Sequence, residues 1–299
     1  MQETEHRLPV LTIGLPVYNG AKFIERALRS LMSQDFQDWR MIIADNCSTD
    51  LTFTIAEKLC THDPRIELVR HDENIGAVGN FLYLVNRAET PFFMWAASDD
   101  EWTTNYLSEA IRLLQLNVNA GFASGKILNI DIQGSCLREF PAFSSFSSQS
   151  ASFRLCRFIA AREIDGKANI IYSVYRTPLV QAVCRDFGIA EGWGADMGFV
   201  AAIVARSRYL QSEKAALLKR VVNDSDKATA LLMARHHYHK VQFQGNYPPY
   251  LHKSYVQTLS KGMPSAGLAI LVHVVMWCRR LVTALQRGYA LSRKIPEKF

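Results

Sequence analysis

Strand-length apolar stretches recur through the first 130 residues, and between them the apolar positions fall at helical spacing. "VLTIGLP" (10–16), "RMIIAD" (40–45), "RIELVR" (65–70) and "PFFMWAA" (91–97) read as strands. After Tyr18-Asn19-Gly20, "AKFIERALRSLMSQ" places Phe23, Ile24, Ala27, Leu28, Leu31 and Met32 on one helical face. Further helices are expected from about Asp50, over "AVGNFLYLVNRA", and from about Thr103. Strands separated by single helices predict βαβ units and a mostly parallel sheet with helices on both faces. The near-continuous apolar runs "MIIA" and "FFMWAA" fit strands buried on both faces.

The pattern changes further along. Residues 133–152 are rich in Ser, Gly and Phe and read as a long loop, "NIIYSVYR" (169–176) as a strand, and "GADMGFVAAIVAR" (194–206) as a helix. From about residue 211 the chain reads as mainly helical. The expected organisation is an α/β domain over 1–210 and a basic helical region over 211–299. A chain of 299 residues is long enough for a substantial core.

Charge sharpens that division. Residues 201–299 hold 16 Lys+Arg against 4 Asp+Glu, whereas residues 1–200 hold 18 against 24. An acidic part that can hold cations thus precedes a basic part that can meet anions. The six cysteines contain no CxxC pair, which disfavours a disulfide framework and suits a reducing compartment. "MQETEHRLPV" has no apolar run of the kind a signal peptide needs, so a cytoplasmic location is expected.

In sheets of this kind ligands sit beyond the carboxyl ends of the strands. Those ends carry Tyr18-Asn19, Asp45-Asn46 and Asp99-Asp100. Adjacent carboxylates suit a hard divalent ion, Mg²⁺ or Mn²⁺, that keeps waters and bridges to phosphates. The alternative is a solvated loop before a helix whose N-terminus favours acids. Asp45 on the same edge speaks for a site.

Taken together, "LPVYNGAKFIERALRSLMSQDFQDWRMIIADNCSTD", "DENIGAVGNF" and "FFMWAASDDEW" resemble the family 2 inverting glycosyltransferases, over roughly residues 8–130. The resemblance implies a GT-A, Rossmann-like fold and transfer of a sugar from a nucleoside-diphosphate sugar, by family habit UDP-linked, to a hydroxyl of a glycan or lipid-linked acceptor. It implies that Pro16, Tyr18, Asn19 and Asp45 contact the nucleoside and that the stretch from Asn74 to Asn80 closes over it. Asp99 and Asp100 match a DXD-like motif, with Asp100 the expected ligand to Mn²⁺ or Mg²⁺ and Asp99 on ribose or metal. Many relatives read Asp-Ser-Asp-Asp here, and Ala97 stands where the first Asp would be.

The resemblance also implies a general base about a hundred residues past that motif. "AEGWGADMGF" offers Asp196, with Glu191 in reserve; Asp196 is either this base or a cap on the following helix. Trp193 either stacks on a sugar or belongs to the core, and Ser173 is expected beside the acceptor, where relatives often have glycine.

His236 and His239 lie at i, i+3 on an expected helix, but without an evident third ligand a solvated face accounts for them. In "SAGLAILVHVVMWCRRLVTALQRGYALSRK" (265–294) the apolar run before Arg279-Arg280 is shorter than the ~20 residues a spanning helix needs. Leu271, Val274, Val275, Cys278, Leu281, Val282 and Leu285 share one helical face. Such a basic amphipathic helix either lies on an anionic membrane surface, which family context favours at its inner face, or packs on protein.

Other classes fit less well. "GLPVYNGAKF" lacks the GxGxxG of a dinucleotide-binding dehydrogenase, and the basic tail carries no recognised nucleic-acid motif. An inactive glycosyltransferase-like scaffold is the alternative that Ala97 favours and Asp45, Asp99, Asp100 and Asp196 oppose.

Overall fold

A computed structural model describes residues 8–61, 63–161, 165–189, 195–221, 256–257 and 259–278. The chain opens as expected: β1 (Leu11–Val17), α1 (Ile24–Met32), β2 (Trp39–Asp45), α2 (Thr52–Cys60), β3 (Ile66–Arg70), α3 (Gly76–Asn86) and β4 (Phe92–Trp95). Then come β5 (Glu101–Trp102), α4 (Tyr106–Leu116), β6 (Ala120–Ile130), β7 (Cys136–Glu139), α5 (Ala151–Ala160), β8 (Val174–Arg176), α6 (Thr177–Asp186), α7 (Ala195–Arg206) and β9 (Arg208–Arg220). The strands form one sheet in the order β3-β2-β1-β4-β8-β6-β9-β5, with β7 on β6.

β1, β2, β3 and β4 are parallel to one another, because a crossover helix joins each of them to the next. Their alternate residues serve two cores. Met41, Ile43, Phe92 and Met94 pack on one side with Leu28 of α1 and Leu107 of α4. Ile42, Ala44, Phe93 and Trp95 pack on the other with Leu84 of α3 and Phe199 of α7. Both faces are therefore buried, which is why these strands read as apolar runs. A side chain at Gly14 would meet Leu84 Cβ and the Phe93 ring at 3.0 Å, so glycine lets α3 lie close to the sheet.

Beyond residue 130 the structure departs from expectation. The supposed long loop contains β7, a hairpin partner of β6, and a 3-10 helix, Ser144–Ser147. Phe143 precedes that helix and Phe146 lies within it, both buried and stacked at 5.2 Å, so their apolar area fastens a segment of loop-like composition.

"NIIYSVYR" is strand only over β8; before it lies a 3-10 helix, Lys167–Tyr172. Local hydrogen bonds compete with the ladder there. The Ile170 carbonyl accepts from Ser173 Oγ at 2.7 Å and Tyr175 Oη at 2.8 Å, and buried Lys167 donates to the carbonyls of Phe158 and Ala161.

The largest correction is β9, which crosses the expected 210/211 boundary and makes residues 211–220 strand where helix was expected. It pairs with β6 through register shifts, one of them at Gly125, and these interrupt the period-2 pattern that marks a strand. A Cβ on Gly125 would stand 2.3 Å from the Ala215 carbonyl oxygen. The sheet thus continues to Arg220.

Residues 266–278 form a further helix, α8. Val272 and Met276 are buried in the same core as Phe199, with Leu268, Leu271 and Val275 packed beside them. Val274 and Cys278, expected on the face of Leu271, are exposed instead. Ile270, Val274 and Trp277 form an outward apolar row, 63%, 51% and 63% exposed. Among the described residues no helix is long and apolar enough to cross a membrane. Glu191, Trp193, His236, His239, Leu281, Val282 and Leu285 lie outside the described residues.

Candidate active site

The carboxyl ends of β1, β2 and β4 carry the polar groups expected there. Asp45 ends β2 and is fully buried. Its Oδ2 accepts from the Ser48 amide at 3.2 Å and lies 3.5 Å from Arg70 Nε. Its Oδ1 has no hydrogen-bond partner among the described residues. A buried acceptor left unpaired costs roughly 1–3 kcal/mol, so a donor from outside would find a prepared place.

Tyr18 is 49% exposed beside that edge, and Pro16 is partly buried within β1. Asn19 adopts a left-handed backbone conformation, φ 51°, and joins the loops after β1 and β2. Its amide donates to Ser48 Oγ at 2.9 Å and its Oδ1 accepts from the Thr49 amide at 2.9 Å. A second lock ties β2 to the segment before α3. Asn46 Nδ2 donates to Asn74 Oδ1 at 2.9 Å, and Asn46 Oδ1 accepts from the Ile75 amide at 2.9 Å.

Asn80 differs from expectation. It is buried, donating to the Ala44 carbonyl at 2.8 Å and paired with His71 at 3.1 Å, so it braces β2 and is not open to a ligand. Ser173 is likewise fully buried with its hydroxyl spent on Ile170, so it lines no open pocket.

The carboxylate pair lies at the other end of this edge. Asp99 is half-buried and its carboxylate has no hydrogen-bond or ion-pair partner among the described residues. Asp100 is fully buried and engaged on both oxygens: Oδ1 accepts from the Arg220 amide at 3.0 Å and Oδ2 from Lys219 Nζ at 3.1 Å. Arg220 itself is a hub. Its guanidinium donates to the carbonyls of Asp99, Asp131 and Ile132 and pairs with Glu101, which also pairs with Arg26 at 3.1 Å.

Burial pushes the Asp100 carboxyl up to about 6, with Lys219 opposing and Asp99 assisting. Burial alone would lower the Lys219 ammonium, but Asp100, Tyr172 and Asp99 hold it above the ordinary lysine range. The direct contact makes an ion pair at neutral pH, since even an acid near 6 is then mostly ionised.

Tyr172 lies against Lys219, with Nζ 5.4 Å from its ring centroid, and burial pushes its hydroxyl up to about 12. Asp196 is in the first turn of α7, partly buried, and accepts from the adjacent Met197 amide at 2.7 Å. Burial raises its carboxyl, while that amide and the Lys219 charge lower it. Lys219 thus links Asp99, Asp100, Tyr172 and Asp196 into one electrostatic cluster.

This donor set does not fit the expected Mn²⁺ or Mg²⁺ as arranged. Among the described residues no three His, Cys, Asp or Glu side chains gather, and the expected ligand Asp100 already holds an internal cation. A divalent ion on the same oxygen, at about 2.1 Å, would sit roughly 4 Å from that ammonium. Its repulsion is on the order of 8 kcal/mol at an effective dielectric of about 20. Lys219, Arg220 and Tyr172 were not legible as site residues. The first two lie in the stretch read as helical, and no motif marks them.

The family model described as "Glycosyl transferase family 2" matches residues 12–132, the span that holds β1 to β6 and the acid-bearing edge. Residues 12–132 thus resemble glycosyl transferase family 2, over less than half of the chain. The chain is 34% identical over 100 residues to the putative colanic acid biosynthesis glycosyl transferase WcaA of Escherichia coli K12, covering 33% of this chain and 36% of that protein. It is 30% identical over 136 residues to the GalNAc(5)-diNAcBac-PP-undecaprenol beta-1,3-glucosyltransferase of Campylobacter jejuni, covering 44% of this chain and 42% of that one. It thus spans well under half the length of these curated relatives.

Solved structures share the GT-A fold over most of the chain. S. aureus TarS 1-349 in complex with UDP has a TM-score of 0.54 at 19% identity, covering 89% of this chain and 86% of that one. Mannosyltransferase PcManGT from Pyrobaculum calidifontis, solved with GDP-Man and Mn²⁺, has a TM-score of 0.53 at 18% identity, covering 97% and 82%.

Proposed function

We propose that this chain is an inverting glycosyltransferase that moves a sugar from a UDP-linked donor to a hydroxyl of a glycan or lipid-linked acceptor. The observation that carries the reading is Asp45: a fully buried carboxylate with one oxygen unpaired, on the sheet edge that also carries Asp99 and Asp100. An uracil ring offers one N–H between two carbonyls, which suits a single orphaned acceptor. Tyr18 beside it has ring area to cover a base. The family match and the UDP-bound relative support the donor class.

Asp196 is the proposed base. Inversion needs the acceptor oxygen to attack opposite the leaving group while a carboxylate takes its proton, and a carboxylate raised by burial is better suited to hold one. Glu191 is the second acid in that segment, and Trp193 a sugar-stacking candidate, both outside the described residues.

Calorimetric titration with UDP, GDP, CDP and dTDP, each in EDTA and in Mn²⁺, tests the reading. UDP should bind most tightly, and Asp45→Ala should weaken it about tenfold or more, the equivalent of one lost hydrogen bond to a charged group. If no nucleotide binds under either condition, the inactive-scaffold alternative takes over.

The acceptor is proposed to be presented at an anionic membrane surface. Ile270, Val274 and Trp277 face outward from α8, and the sequence continues into Arg279-Arg280, Arg287 and Arg293-Lys294. The chain should sediment with phosphatidylglycerol-containing vesicles and not with phosphatidylcholine alone, and Trp277→Ser should lower the bound fraction several-fold. Equal sedimentation of the variant would remove α8 from this role.

A further inference from the structure

Two consecutive residues at the end of β9 grip the Asp99-Asp100-Glu101 turn in different ways. Arg220, its side chain fully buried, donates through its guanidinium to the Asp99 carbonyl, pairs with Glu101, and uses its backbone amide to hold Asp100 Oδ1. Lys219 holds the other oxygen of Asp100 at 3.1 Å, yet its side chain is 24% exposed where that of Asp100 is 0% exposed. Asp100 is therefore closed off, and of this ion pair only the Lys219 side chain keeps an exposed part. Among the described residues Asp100 accepts the only hydrogen bond that Lys219 Nζ donates, so further N–H groups remain for a ligand.

We infer that Lys219, seated by Asp100 and Arg220, is the cation that receives the diphosphate of the donor, and that nucleotide binding needs no divalent ion. This rests on the reading of the site as a nucleotide-sugar site. Ala97, buried at the strand end, leaves two acids in the motif, and one is neutralised by Lys219. A second fixed cation on Asp100 would meet repulsion from that ammonium, whereas a phosphate oxygen brought to Nζ would meet attraction. In the transfer the acceptor oxygen bonds to the anomeric carbon while the bond from that carbon to the β-phosphate oxygen breaks. The electron pair leaves with the nucleoside diphosphate beside Lys219, and the acceptor proton passes to Asp196. The negative charge that grows on the leaving group is met by a lysine already held in place by Asp100.

The test is titration of the full chain with UDP and with GDP, in EDTA and then in Mn²⁺. Wild type should bind UDP in EDTA within about threefold of its affinity in Mn²⁺. Lys219→Met should bind roughly tenfold or more weakly in EDTA, and Lys219→Arg should keep most of the affinity. The double variant Lys219→Met/Asp100→Asn, which leaves no buried acid unpaired, should show the same loss if Lys219→Met alone fails to fold. Wild-type binding that requires Mn²⁺ overturns the inference, as does a folded Lys219→Met or double variant that binds in EDTA like wild type. If neither nucleotide binds in either condition, the nucleotide reading itself fails and Lys219 falls with it.

Discussion

Asp45 and Asp100 both end up fully buried at the same sheet edge, yet one keeps an oxygen unpaired and the other has both engaged. The difference lies in the regions that surround them. Around Asp45 the parallel strands β1, β2 and β3 supply neighbours that come soon in the chain: Ser48 three residues on, and Arg70 on the adjacent strand. Around Asp100 the sheet mixes directions, and β9 returns 119 and 120 residues later to place Lys219 and the Arg220 amide on it. The parallel region leaves a vacancy that suits a ligand's N–H. The mixed region engages both oxygens of its acid, one with an ammonium and one with a backbone amide. Acids that look alike in the sequence thus end differently, one with an oxygen unpaired and one with both engaged.

Asp196 would break this comparison most sharply, since it belongs to the later region but is assigned chemistry. Asp196→Asn should lower kcat by about 10²–10⁴-fold while leaving UDP affinity within about twofold. The base must be ionised to act, so the rate should rise with pH through its pKa. Because burial raises that pKa above the ordinary 3.8, the acid limb should lie above the ordinary aspartate range, and Asp196→Asn should abolish it. A variant with unaltered kcat would leave Asp196 as a helix-start residue and turn attention to Glu191.

Stability should separate the regions next. Arg220→Leu removes a fully buried guanidinium from Glu101 and three carbonyls, and should cost about 3–5 kcal/mol in denaturant unfolding. Arg29→Ala in the first region breaks an i,i+4 pair with Glu25 whose side chains are 64% and 51% exposed, and should cost no more than about 0.5 kcal/mol. Similar losses from the two would mean that Arg220 is not the clamp on β9 described above.

The first region was legible because its determinants are local. Apolar runs bounded by turn residues marked β1 to β4, and a strand's end is where its apolar run stops, so Asp45, Asp99 and Asp100 could be placed from their neighbours alone. The second region was not. β9 pairs with β6 through a register shift opposite Gly125 that blurs its alternation, and the turn at Lys167–Tyr172 is made by side chains capturing backbone carbonyls. Asn80 and Ser173 are buried with their side chains spent on the Ala44 and Ile170 carbonyls, which no local pattern announces.

By itself, then, the sequence determined the succession of strands and helices up to residue 130 and the acids at their ends, because these follow from periodicity and local turn chemistry. Only the tertiary structure decided what each acid meets. Lys219 reaches Asp100 through the pairing of β9 with β6 and β5, a contact 119 residues apart in the chain. Nothing in the pattern near either residue encodes it, because strand order is settled by the packing of the whole sheet.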